Sequence, residues 1–154
     1  MVADMVAAFA LLCAREDVDA GRVGVVGHCW GGRVAWLAAC HIRRLAACVV
    51  FYGGRVKLSM GKNTTPPIKL VRDICCPVAG FFSNEDLNPT PDDVNEYEAS
   101  LIAAGVPCEF HRYDGAGHAF QNFPSAERYR ETQSEDAWTK ALAFLARQLR
   151  PQPI

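Results

Sequence analysis

Cys29, Asp86 and His118 are the residues of this sequence whose types and order could carry covalent chemistry. Cys29 stands in Gly27-His28-Cys29-Trp30-Gly31, a Gly-x-nucleophile-x-Gly stretch with cysteine where serine is commoner. A nucleophile of this kind sits on a sharp, strained turn between a strand and a helix, so its close neighbours must lack side chains. The positive end of the following helix favours the thiolate, which is the reactive form. The main-chain N–H of Trp30 can then point at the oxygen of a tetrahedral intermediate. His118 would take the thiol proton and later activate water; Asp86 would fix its tautomer and stabilise the imidazolium. Glu85, one residue away, and Asp92 or Asp93 near a helix start are the alternatives for the acid, while Asp114 reads as a turn former.

These side chains need elements to hold them. Apolar residues at helical spacing predict an amphipathic helix over 2–15, broken by turn formers at 16–21. Residues 22–27 are short, β-branched and apolar, as in a parallel strand, and run through the cysteine turn into a helix over 31–40. A strand over 45–52 is closed by Gly53-Gly54, and 55–76 reads as irregular, with Pro66-Pro67. A third strand covers 77–82 and ends in the polar loop 83–89. A helix over 91–104 has Pro91 in its first turn and acids near its positive end. Gly105 stops it, and 106–113 alternates as a fourth strand before the loop 114–118. The last helix covers 134–149, with Ser134 as its N-cap, and Pro151 and Pro153 end the fold. Strand and helix alternate throughout, which specifies an α/β fold with a parallel sheet. Nucleophile, acid and histidine all fall at the carboxyl ends of strands, where such sheets gather their chemistry.

Composition narrows the function. The 154 residues are long enough for one domain with a core. Sixteen Lys and Arg against 17 Asp and Glu leave a net charge of −1, so no basic field addresses nucleic acid. No apolar run approaches the ~20 residues that span a bilayer. The apolar opening carries Asp4 and no preceding basic residue, which fits a helix better than a secretory signal. Seven cysteines with no regular disulfide spacing read as reduced thiols of a cytoplasmic protein, most of them small buried apolar groups. Cys108 and His111 would face opposite sides of a strand and so make no zinc pair.

The chain resembles the dienelactone hydrolase family of the α/β-hydrolase superfamily. Gly27-His28-Cys29-Trp30-Gly31-Gly32, Ser83-Asn84-Glu85-Asp86, Gly115-Ala116-Gly117-His118-Ala119-Phe120 and the tail Ala137 to Leu145 carry the resemblance, with the double glycine its most specific part. The order nucleophile, acid, histidine is that of the superfamily's triad. The resemblance implies a three-layer α/β/α fold and a Cys29–His118–Asp86 triad that hydrolyses small activated esters or lactones through an acyl-thioester. It implies no cofactor and no metal.

Two departures matter. Characterised members place an arginine, which helps hold a substrate carboxylate, four residues after the histidine; here that position is Asn122. The resemblance is also to the family's later part, so the chain reads as a C-terminal portion apparently lacking the N-terminal strands. Those strands bring the loop with the second oxyanion donor, and loss of one such donor costs roughly 100- to 1,000-fold in turnover. Strand 22–27 would then expose an apolar edge, which a homodimer could cover.

Other residues near the motifs have weaker readings. His28 is expected to pack or line the sheet top rather than act as base. Trp30 either walls the acyl pocket or packs, Phe120 and Phe123 either line a substrate pocket or pack in the core or at its rim, and Phe120 and Asn122 are the candidates to contact substrate. Arg55 could meet an anionic substrate. The rival functions are an impaired homologue acting as a structural or interaction protein, and a redox-sensing thiol protein.

Overall fold

The computed structural model describes residues 1–150; the expected terminators Pro151 and Pro153 lie outside the described residues. The elements run α1 (Val2–Cys13), β1 (Gly24–His28), α2 (Trp30–His41), β2 (Ala47–Phe51), β3 (Val78–Ser83), α3 (Pro91–Ala103), β4 (Cys108–Tyr113) and α4 (Glu131–Gln148). The four strands form one parallel sheet in the order β1-β2-β3-β4, with Val26 opposite Val49 and Ala79 opposite Glu109.

Alternating side chains divide the sheet between two cores. Cys48, Val50, Val78 and Phe82 point into one, filled by Trp36, Ala38 and Ala39 of α2 and by Val94, Tyr97 and Leu101 of α3. Val49, Phe51, Ala79 and Phe81 point into the other, against Ala137, Ala141 and Phe144 of α4. The result is the three-layer arrangement expected. Both inner strands are wholly buried, which explains their unbroken apolar sequences. On β4, Cys108 joins the first core and His111 stacks on Phe81 in the second, so they face apart.

Several boundaries differ from the sequence reading. The segment 55–76 contains a 3₁₀ helix over Pro67–Asp73, started by a proline whose missing N–H costs nothing there. The last helix begins at Glu131, not at Ser134. Ser134 lies in its first turn, where its N–H donates to the Arg130 carbonyl at 2.8 Å. Arg130 holds the N-cap position without a side-chain cap, its guanidinium donating to the carbonyls of Gly115, Glu127 and Tyr129. By contrast α3 follows its pattern: Thr90 and Asp93 form a reciprocal capping box behind Pro91. Helix α1 rests Met5 and Phe9 on the first core, yet none of its residues is fully buried.

Strand β1 is an edge. It pairs with β2 alone, and its Val26 is 40% exposed. No described helix is long and apolar enough to cross a membrane.

The turn from β1 into α2 is where backbones meet most closely. A Cβ on Gly27 would lie 1.9 Å from the Gly31 carbonyl oxygen, and one on Gly32 would lie 2.7 Å from the Gly53 Cα. Gly31 itself, the outer glycine of the motif, has nothing within 4 Å of such a Cβ. The steric demand therefore falls on Gly27 and Gly32. Gly27→Ala should lower stability by about 3 kcal/mol, the upper range for overpacking against backbone that cannot yield. Gly31→Ala should be neutral or gain up to ~1 kcal/mol from reduced unfolded-state freedom. Urea denaturation midpoints of the two variants check this.

Candidate active site

Cys29 occupies the turn that those glycines permit. Its backbone is left-handed, φ 53° and ψ −117°, a conformation that costs energy for any residue with a side chain. Backbone hydrogen bonds hold it there. Its N–H donates to the Phe51 carbonyl at 3.0 Å, and its carbonyl accepts from Gly32 and Arg33 at 3.0 and 3.3 Å. The thiol is thereby pushed out beyond the sheet. The next N–H, of Trp30, opens helix α2 and has no acceptor among the described residues.

The three residues singled out by type and order come together. His118 Nε2 lies 3.0 Å from Cys29 Sγ, and its Nδ1 lies 2.7 Å from Asp86 Oδ2. The Asp86 side chain is 1% exposed, and its other oxygen accepts the Asn88 N–H at 2.8 Å. A buried carboxylate needs such partners, since alone it would carry a heavy desolvation cost. The Asp86 hydrogen bond pushes the His118 pKa up to about 9; burial opposes this, and the Cys29 contact adds to it.

The rival acids have other work. Glu85 accepts the Gly115 N–H at 2.9 Å. Asp93 closes the α3 capping box and pairs with Lys57 at 2.6 Å, and Asp92 is exposed on the same turn. Asp114 accepts from the Asn84 amide at 2.7 Å, as befits a turn.

Phe120 is corrected. It is fully buried between Tyr52 and Tyr113 and belongs to the second core, so it lines no cavity. Two cavities do open at Cys29. One, of about 380 Å³, is lined by Cys29, Trp30, Gly54, Arg55, Asn88 and His118. The other, of about 730 Å³, lies toward α4, with His28, Tyr52, Asn122, Phe123 and Trp138 on its walls. Asn122 and Phe123 thus stand at the second cavity, and Trp30 and Arg55 at the first. His28 packs as expected: its ring stacks on Phe51 at 4.4 Å, and burial pulls its pKa down.

Sequence reasoning missed three residues. Tyr52, at a positive φ of 39°, meets the His118 ring edge-on at 5.4 Å. Burial, with the Cys29 charge second, pushes its phenol up to about 12, so it stays protonated beside the thiol. Ser83 is buried and donates to the Ala116 carbonyl, tying the acid loop to the histidine loop. Asn88 anchors Asp86. A serine at the end of an all-apolar strand was the signal available for the second of these; the other two have none beyond position.

A sequence model of the Dienelactone hydrolase family matches residues 1–149. The chain belongs to that family. Among its relatives is a Salmonella typhi protein provisionally named carboxymethylenebutenolidase, 34% identical over 133 residues, which span 86% of this chain and 49% of that protein. A Bradyrhizobium protein, provisionally named 2-oxo-3-(5-oxofuran-2-ylidene)propanoate lactonase, is 32% identical over 92% of this chain and 57% of its own length. A crystal structure from Klebsiella pneumoniae, provisionally a dienelactone hydrolase, superposes with a TM-score of 0.86 at 33% identity, over 94% of this chain and 60% of that one. The chain therefore spans about half to three fifths of the length of these relatives.

The raised pKa of His118 makes stability pH-dependent. A folded value of about 9 against an ordinary 6.5 means that the protonated form binds better in the fold. The contribution is fully present below pH 6.5, fades as pH rises toward 9, and is gone above it. Asp86→Asn should therefore cost more stability at pH 6 than at pH 10, where the charge attraction is gone and only the neutral-ring Nδ1–H and Asn88 N–H bonds to Asp86 are weakened. Urea midpoints of the two proteins at both pH values check the sign.

Proposed function

We propose that this chain hydrolyses small activated esters or lactones through a Cys29–His118–Asp86 triad. The reading rests above all on the continuous relay of 3.0 and 2.7 Å contacts from a strained, protruding thiol to a buried carboxylate. The names of its relatives, a carboxymethylenebutenolidase and a lactonase, support the lactone part of that substrate class.

In this cycle Cys29 Sγ attacks the carbonyl carbon, and the proton leaves the thiol for His118 Nε2. The oxyanion forms beside the Trp30 N–H, a donor left free by its place at the helix start. As the tetrahedral intermediate collapses, the C–O bond breaks, and His118 gives its proton to the departing alkoxide. An acyl-thioester remains on Cys29. Neutral His118 then takes a proton from water, the resulting hydroxide attacks the thioester carbonyl, and collapse breaks the C–S bond, releasing the acid while His118 returns its proton to Sγ. Asp86 keeps the same ring orientation through both halves, because its carboxylate is fixed on the opposite nitrogen. No step calls for a metal or cofactor.

A second reading is favoured by the open flank of β1 beside the nucleophile: a non-catalytic homologue that acts by interaction. The two readings separate in one experiment. Hydrolysis of 4-nitrophenyl acetate should fall to background in Cys29→Ala, and by roughly a hundredfold or more in Asp86→Asn, which disturbs the base it orients. Quenched wild-type protein should carry an extra 42 Da on the Cys29 peptide, the mass of an acetyl group replacing the thiol hydrogen (about one acetyl per chain at most). Equal rates for wild type and Cys29→Ala would sustain the interaction reading instead.

A further inference from the structure

The site described above has one charge that the triad does not use. Arg55 lines the same cavity as Cys29 and His118. Its neighbours among the cations are committed elsewhere. Lys57 pairs with Asp93 at 2.6 Å and Glu96 at 2.9 Å, and Arg33 is buried with its guanidinium donating to the carbonyls of Arg55 and Leu58. The Arg55 guanidinium has no hydrogen-bond or ion-pair partner among the described residues. Of the carboxylates at the site, Asp86 is engaged by His118 and Asn88, and Glu85 accepts the Gly115 N–H.

The placement of Arg55 is built. Its backbone is left-handed, with φ 55°. Arg33 holds its carbonyl from below, and the Leu58 N–H donates to the same oxygen at 3.1 Å. Gly54, just before it, abuts Asn88 so closely that a Cβ there would lie 2.5 Å from the Asn88 Oδ1. A buried arginine and a close loop contact thus fix the backbone of an arginine whose own head is left free at the cavity. Position 122, by contrast, offers an uncharged amide at the other cavity.

Resting on the hydrolase reading, we propose that Arg55 is the specificity-determining residue of this site and selects esters or lactones that carry a carboxylate beside the scissile bond. A guanidinium presents paired N–H donors that match a carboxylate in plane, and one without a competing carboxylate keeps that capacity for substrate. Arg33 is the positioning residue that holds its loop.

Two measurements test this separately from turnover. The first is alkylation of Cys29 by iodoacetate and by iodoacetamide, alike in reaction but differing in charge, followed by peptide mass spectrometry with glutathione as reference. The iodoacetate-to-iodoacetamide rate ratio at Cys29, relative to glutathione, should fall roughly tenfold or more in Arg55→Met and recover in part in Arg55→Lys. Methionine tolerates the left-handed backbone no better and no worse than arginine, so the comparison isolates charge. The second compares kcat/KM for mono-4-nitrophenyl succinate with 4-nitrophenyl butyrate, and for 3-acetoxybenzoate with phenyl acetate, placing the carboxylate on the acyl or the leaving side. At least one ratio should drop roughly ten- to hundredfold in Arg55→Met. If the alkylation ratio is the same in wild type and Arg55→Met, the proposal is overturned even where esters are turned over. If the ratio falls but no ester is hydrolysed, Arg55 stands as an anion site and the hydrolase reading fails.

Discussion

The structure turns on one close contact: the first turn of α2 lies directly on the end of β2. Gly27, Gly32 and Gly53 leave no room between the backbones for a side chain. With strand and helix that close, the single residue joining them must reverse the chain in one step, and Cys29 does so at φ 53°. Strain of this kind, on the order of 1–3 kcal/mol, persists only where the surroundings over-determine it. Here they do. Three backbone hydrogen bonds pin Cys29, and α2 is anchored behind it by buried Ala35, Trp36, Ala38 and Ala39. The thiol protrudes, and the helix N-terminus faces it, because the packing permits no other path.

Electrostatics impose a second order on the same end of the sheet. A buried Asp86 carboxylate is tolerable only with its two partners in place, so the loop after β3 and the loop after β4 must close together. The stitching is dense: Ser83 to Ala116, Glu85 to Gly115, Asn84 to Asp114 and the Asn84 N–H to the Tyr113 carbonyl. Glu85 looks like a rival acid in sequence but serves as one of these stitches. The two loops act as a single piece, and the Asp86–His118 geometry follows from their joint fit.

Much of this was legible in the residues, for definite reasons. Period and turn chemistry mark β2 and β3, because strands buried on both faces are apolar almost without interruption, and Pro91 with the acids of the first turn marks α3. Strand ends locate Cys29, Asp86 and His118. The features that escaped depend on tertiary closeness. Nothing local distinguishes Gly31, which has open space, from Gly32, which does not. The start of α4 escaped because its N-cap position is held by Arg130, whose guanidinium reaches the Gly115 carbonyl as well as those of Glu127 and Tyr129, whereas Ser134 has the commoner capping residue type. Arg33, read as part of an ordinary helix, is buried because loop carbonyls 22 and 25 residues away solvate its charge.

Phe120 shows how an incorrect reading of one side chain leads to the right account of another. Cys29 follows β1 and His118 follows β4, three strands across the sheet, or roughly 14 Å at ordinary strand spacing. The imidazole can meet the thiol only if its loop travels back over the tops of β3 and β2. That loop is steered from below. Ala119 turns at a positive φ of 61°, Phe120 drops into the core between Tyr52 and Tyr113, and Tyr52 at the end of β2 supports the His118 ring edge-on. A Phe120 free to touch substrate would leave that loop without its anchor. Burying the aromatic ring next to His118 is what carries the imidazole across the sheet to the Cys29 thiol.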